Sequence, residues 1–319
     1  MDSNARLPET LTEAIRFFTD ADVCLAFVAN LRWPNGITCP RCGSGDHSFL
    51  STRKLWKCKG CKKQFSVKLG TIFEDSPLGL DKWLPALWMV INCKNGISSY
   101  EMARALGVTQ KSAWFMNHRI RLAIQEGTFE PMSGEVEVDE TFIGGRARFM
   151  HESKRAEKIT GTGGMGKTAV MGLLERHGEG GHSRVKAKVI PNTKRKTLSP
   201  EIRQHVEEGA EVFTDSLKSY ADLSDAYVHE VIDHAESYVR GKVHTNGMEN
   251  FWSLLKRSIK GTYVSVEPFH LFRYLDEQTY RFNTRKLSDG LRFLHAAVGI
   301  IGKRLTYKTL TGKEEGQTA

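Results

Sequence analysis

No stretch of this chain approaches the roughly 18 consecutive apolar residues that a membrane-spanning helix needs. Its start, from Met1 to Phe18, holds no cationic segment leading into an apolar one, so it does not read as a secretory leader. A soluble, intracellular protein is therefore expected. Cysteine is scarce, with six in 319 residues. In a reducing compartment such cysteines serve metals or cores more readily than disulfides. Internal repeats are lacking as well, which excludes a solenoid or other repeat architecture.

Positive charge is what the chain has in excess. Lysine and arginine number 46 against 37 acids, a net charge of +9, and the pI is about 9.2. That balance favours a polyanionic partner without requiring one. Hydrophobic residues make up 40%, enough for a sizeable core, and the length suits two or three domains.

Along the chain, the pattern from Leu11 to Ala29 is helical and stops before Pro34 and Gly36. Residues 37–70 are short-period and rich in Cys, Lys and Gly. Residues 73–127 read as helices, with Trp83, Leu84, Leu87, Trp88 and Ile91 spaced for one buried face. The composition loosens at 127–134. Strands are expected at 136–143, 169–174, 185–190, 212–213 and 227–231. Helices are expected at 198–208, 246–260 and 266–282, with a glycine-rich basic loop at 144–167. This order predicts an α/β domain with a mixed sheet. The polar tail after Lys308 is expected to fray.

Cys39-Pro40-Arg41-Cys42 and Cys58-Lys59-Gly60-Cys61 are two C-x-x-C pairs with fifteen residues, 43 to 57, between them. Each pair forms a knuckle that directs two thiolates at one ion, and together they complete a tetrahedral zinc site. With four protein ligands no position stays open for catalysis, so the zinc is structural. Lys57, Lys59, Lys62 and Lys63 surround the second knuckle, where they either meet phosphates or form a solvated face. Cys24 and Cys93 lie in apolar helical context and read as small buried hydrophobes.

Ser98 and Glu101 fit a capping box, Gly107 ends the helix, and Thr109 can cap a second one. Helix, glycine turn, helix is the grammar of a helix-turn-helix, although an ordinary helical hairpin has it too. In the first reading Gln110 and Lys111 reach base edges, and Arg119 joins the DNA-binding set. Gly161 to Thr168 matches a phosphate-binding loop, which needs a strand before it and a helix after it. Here charged residues precede and a strand pattern follows, so nucleotide binding is set aside.

Asp139 and Asp215 follow strand patterns, and Glu249 lies on a helix. Carboxylates brought together from two strands and a helix can hold two divalent ions, and hard oxygen ligands suit magnesium or manganese. On that helix Met248, Trp252, Leu255 and Ile259 form an apolar stripe. Glu249 and Lys256, two turns apart, share the side next to it. Asn246 stands at the helix start, where Asn is a favoured N-cap.

Taken together these segments resemble the bacterial insertion-sequence transposases that join an N-terminal zinc ribbon to a DDE, RNase H-like domain. The likeness rests on Arg32-Trp33-Pro34 with Cys39 to Gly43, on Trp56 to Phe65, and on Val138-Asp139-Glu140-Thr141-Phe142-Ile143-Gly144-Gly145. It continues through Thr214-Asp215, His244-Thr245-Asn246 to Lys256, Gly261-Thr262-Tyr263 and Arg281-Phe282-Asn283, covering roughly residues 12 to 286. The resemblance implies binding of transposon ends, metal-dependent strand cleavage and transfer into target DNA, and at least a dimer on paired ends. It places the protein on DNA in a bacterial cytoplasm. It implies catalytic roles for Asp139, Asp215 and Lys256, with either Glu249 or Asn246 as the third metal ligand. The expected organisation is a helical segment at 1–30, a zinc ribbon at 31–72 and a helix-turn-helix-like region at 73–130. An RNase H-like domain at 131–300 and a tail at 301–319 complete it. An inactive DNA-binding relative, or another RNase H-like nuclease, remains an alternative.

Overall fold

The computed structural model describes residues 7–125, 130–145, 151–158, 166–177, 181–215, 218–220, 222–232 and 244–313. In chain order the elements are α1 (Leu11–Phe18), α2 (Ala21–Arg32), β1 (His47–Leu50), β2 (Leu55–Cys58), β3 (Gln64–Phe65), α3 (Leu80–Asn92), α4 (Ser99–Leu106) and α5 (Gln110–Ala123). There follow β4 (Glu135–Ile143), α6 (Glu152–Lys158), β5 (Thr168–Glu175), β6 (Arg184–Ile190), α7 (Arg195–His205), β7 (Glu211–Asp215) and β8 (Val228–Ile232). The last are α8 (Asn246–Ser258), α9 (Leu271–Asn283), α10 (Asp289–Val298) and α11 (Tyr307–Leu310). Two compact units result: residues 1–125 with 284–319, and residues 126–283.

In the first unit, the single helix expected from Leu11 to Ala29 is two. Asp20 interrupts it and caps α2, its carboxylate accepting from the Asp22 and Val23 N–H groups. The ribbon β1–β2–β3 is an antiparallel meander over a small aromatic cluster. Trp56 stacks on Phe65 with centroids 5.9 Å apart, and Trp33 meets both rings edge-on. Ser98 and Glu101 form the anticipated capping box, and Gly107 takes the left-handed conformation that turns α4 into α5.

Residues 284–313 were expected to split between the catalytic domain and a tail, and the structure differs. Phe293 of α10 is fully buried against Phe18, Phe27 and Trp88, so α10 belongs with the N-terminal helices. Lys303 donates to the last carbonyls of α5, those of Leu122 and Ala123, and to Gln125. Leu305 and Leu310 are buried. The segment beyond 300 is therefore anchored through residue 313, because its sparse apolar side chains fill the helical core.

The second unit is a five-stranded mixed sheet in the order β6-β5-β4-β7-β8. Strands β4, β5 and β6 pair antiparallel, whereas β4–β7 and β7–β8 are parallel. α7 packs on one face through Leu198 and Ile202 against Val136, Val138 and Val212. α8 and α9 cover the other through Met248, Phe251, Leu255, Leu271 and Leu275. This is an RNase H-like α/β/α arrangement. Within the segment expected to be a loop, residues 152–158 form α6. Of the phosphate-loop look-alike, Gly161 to Met165 lie outside the described residues. Thr168 opens a strand, as its rejection required.

Candidate active site

Asp139 lies on β4, the central strand. The β4–β7 register ends with Glu137 opposite Phe213, and Asp139 and Asp215 each lie two residues further along these adjacent parallel strands. Strand alternation then turns both toward the α8 face, with the backbones about 4.8 Å apart. Asp139 also faces Gly172 of β5 in register. A Cβ at Gly172 would fall 2.1 Å from the Met248 side chain and 2.7 Å from the Trp252 ring. The missing side chain is what lets α8 close on the sheet here. Trp252 uses the opening, its indole Nε1 donating to Asp139 Oδ2 at 2.9 Å.

α8 thus carries two stripes. Met248, Phe251, Trp252 and Leu255 are buried. Glu249, Trp252, Ser253, Lys256, Arg257 and Lys260 line a cleft of about 560 Å³ whose floor is Asp139, Glu140 and Thr141. The spacings of three and four along the second stripe are those of one helix face.

The helix start is held in a way the sequence did not reveal. Thr245, not Asn246, occupies the cap position and makes no capping bond with its side chain. The buried carboxylate of Glu137, on β4, accepts from the Met248 N–H at 2.8 Å. Glu137 is in turn bound by Arg176 at 2.8 Å, and Arg176 also reaches Glu135 and His244. Asn246 is exposed at the first helical position, so the expectation that it caps the helix is corrected. A tertiary carboxylate does that work.

Electrostatics mark the cleft. Burial pushes the Asp139 carboxyl up to about 6, helped by the nearby charges of Asp215 and Glu249 and opposed by the Glu140 N–H and the Trp252 indole. Burial likewise pushes Glu140 up to about 7, although the hydroxyl of fully buried Tyr220 donates to it. Burial lowers Lys256, Asp139 opposes this, and Lys260 and Lys167 add to it. Glu140 and Tyr220 were missed from sequence because alternation alone turns Glu140 away from Asp139, and nothing local signals its burial.

At the zinc ribbon, Cys39 and Cys61 place their sulfurs 3.7 Å apart, and Cys42 and Cys58 place theirs 3.6 Å apart. A zinc–sulfur distance of about 2.3 Å in a tetrahedron gives sulfur pairs about 3.8 Å apart. Among the described residues these four cysteines are the one group whose ligand atoms all lie within 4.8 Å. The carboxylates of Asp139, Asp215 and Glu249 are not gathered so closely. The backbone N–H of Cys61 leads in lowering the Cys58 thiol to about 7, which favours the thiolate a metal needs. Cys24 is buried as expected, and its thiol is pushed up to about 12 first by burial; Cys93 is only half-buried.

The basic residues named for DNA divide. Lys62 and Lys63 are exposed beside the second knuckle, and Lys111 is exposed with its ammonium 5.1 Å over the Tyr307 ring. The Gln110 amide donates to Ser99 across the turn. Arg119 is buried and donates to the carbonyls of Ile72, Glu74 and Leu305, so it serves the fold and not a DNA surface. His118 and Arg121 are buried as well, leaving only the N-terminal end of α5 open.

Residues 131–283 match the model of the ISXO2-like transposase domain, and residues 19–64 match that of the transposase zinc-ribbon domain. The first match nearly coincides with the second compact unit. The chain belongs to the insertion-sequence transposases with an N-terminal zinc ribbon. This transposase is 27% identical to an uncharacterised protein in the transposable element ISH50 of Halobacterium salinarum, over 76% of the chain and 84% of that protein. It is 31% identical to an uncharacterised transposase-like protein of Haemophilus influenzae, over 34% of the chain and 89% of that protein. Among the described residues of the transposase, no helix is long and apolar enough to cross a membrane.

Proposed function

We propose that this transposase binds the ends of its own element and cuts and joins DNA strands in the cleft between β4 and α8. The observation that carries the reading is Asp139 facing the Glu249–Lys256 stripe of α8 in one cleft, with Asp215 on the adjacent parallel strand. Asp139, Asp215 and Glu249 would hold the catalytic ions. The donor set fits: all are hard oxygen ligands, and Asp139, raised first by burial, is also raised by the charges of Asp215 and Glu249, a repulsion that a divalent cation relieves. Two magnesium or manganese ions would supply activation of the attacking oxygen and charge neutralisation at the leaving one.

The protein's own groups do the rest. Trp252 fixes the rotamer of Asp139 through its indole N–H, leaving the other carboxylate oxygen to the Glu140 N–H at 2.8 Å. Lys256, Arg257 and Lys260 offer cations to DNA phosphates along the rim. Glu249 belongs to that lining and Asn246 does not, which supports Glu249 as the third metal ligand. The α4–α5 pair and the zinc ribbon would recognise the end sequence. Pairing of two ends implies at least a dimer.

The test incubates the purified protein with labelled element ends, magnesium and a target plasmid. Joined products are expected. Binding without cleavage would point to an inactive DNA-binding relative, and hydrolysis without joining to another nuclease; either result refutes the reading.

A further inference from the structure

Gly261-Thr262-Tyr263 and Arg281-Phe282-Asn283 have no part in the cleft chemistry above, yet they meet in one clasp. The Tyr263 hydroxyl donates to Glu277, which is fully buried and also bound by Arg281. The Tyr263 ring stands edge-on to Tyr274 with centroids 4.8 Å apart. At the other end of α9, the Asn283 amide accepts from the Val185 N–H at 2.8 Å and donates to its carbonyl at 3.0 Å, tying the helix to β6.

What the clasp holds is a strained turn. After α8 the chain widens into a π-helical turn, Ile259–Tyr263. Tyr263 is pinned, and Val266 packs partly against the core. Between them the Ser265 N–H donates to the Tyr263 carbonyl at 2.7 Å, closing a γ-turn on Val264, whose φ is 62° and ψ −56°. A β-branched residue avoids this conformation, which persists only where its surroundings enforce it. Val264 is 77% exposed, the most exposed large apolar side chain among the described residues, and Phe269 in the same connection is 58% exposed. Neither strain nor exposure benefits the isolated molecule. Lys260, four residues before Val264, lines the cleft with Asp139 and Glu249, so the apolar tip stands about one helical turn beyond the cationic rim.

We propose that Val264 is a wedge that enters the base stack at the element's end and parts the terminal pairs, delivering one strand to the cleft. Apolar side chains inserted between base steps unstack duplex DNA in this way. The inference rests on the reading of the cleft as the site of strand cleavage.

The test places 2-aminopurine, which brightens when unstacked, at the terminal steps of an end duplex and follows fluorescence in magnesium-free buffer. Wild-type protein should brighten it on binding, and Val264→Leu should preserve the effect. Val264→Gly, which suits the positive φ and removes the side chain, should leave the probe dark at protein concentrations that saturate the end duplex. In magnesium it should cleave paired ends about tenfold more slowly, and ends with mismatched terminal pairs at the wild-type rate. Brightening by Val264→Gly, no brightening by wild type, or an equal rate loss on paired and mismatched ends would overturn the wedge. Brightening that depends on Val264, in a protein that never cleaves, would support the wedge and refute the cleavage reading instead.

Discussion

Asp139 shows how much one carboxylate can depend on neighbours remote in sequence. Its rotamer is set by Trp252 and its access by the missing side chain of Gly172. Glu249 and Asn246 differ by the same logic. Glu249 lines the cleft, whereas Asn246 is exposed and its expected cap is supplied by Glu137. Glu249→Gln should therefore abolish strand cleavage with DNA binding intact. Asn246→Ala should change stability by no more than about 0.5 kcal/mol and keep its cleavage activity across a magnesium titration. A dead but folded Asn246→Ala beside an active Glu249→Gln would reverse the roles.

The same residues give a pH dependence. Asp139 rises from the usual 3.8 to about 6, and Glu140 from 4.5 to about 7. Across that window the folded protein keeps protons that the unfolded chain has already lost, so these groups weaken folding as pH rises. A divalent ion binds the ionised set and offsets the loss. Magnesium should raise Tm more at about pH 7.5 than at about pH 5, and Asp139→Asn should shrink the difference. An equal rise at both pH values would mean that the ion binds elsewhere.

Among elements, the zinc ribbon and α8 were the most legible in sequence, because each carries its own signal. Two C-x-x-C knuckles state a ligand set, and apolar residues every three or four positions state a helix and its buried face. α10 was missed: its apolar residues were counted into the catalytic domain, and only tertiary packing shows Phe293 among the N-terminal helices. Arg119 was misread for a related reason. A basic residue on a helix looks solvent-facing until the carbonyls of Ile72, Glu74 and Leu305 surround it. The ribbon's small aromatic cluster leaves much of its folding energy to metal. Cys58→Ser should lower zinc content and weaken end binding while residues 126–283 stay folded. Full zinc occupancy, measured by atomic absorption, would contradict the site.

For the whole molecule, the succession of strands and helices along the chain pointed to an α/β domain with a mixed sheet, which the second unit has. The networks of Glu137 and Glu140 were not legible there, because each joins segments far apart in the chain. A net charge of +9 and the exposed Lys62 and Lys63 point to phosphate contacts. Replacing both lysines should flatten the slope of log K against log salt by up to about 2. An unchanged slope would turn that face of the ribbon away from DNA.

The central claim is that one cleft, with Asp139 in its floor and Asp215 on the adjacent strand, carries out the strand chemistry. Asp139→Asn keeps the size of the side chain and removes its charge. The direct measurement is strand cleavage and joining of labelled ends by this variant in magnesium, alongside its end-binding Kd. The account predicts no cleavage and no joining at a wild-type Kd, and cleavage at the wild-type rate would contradict it.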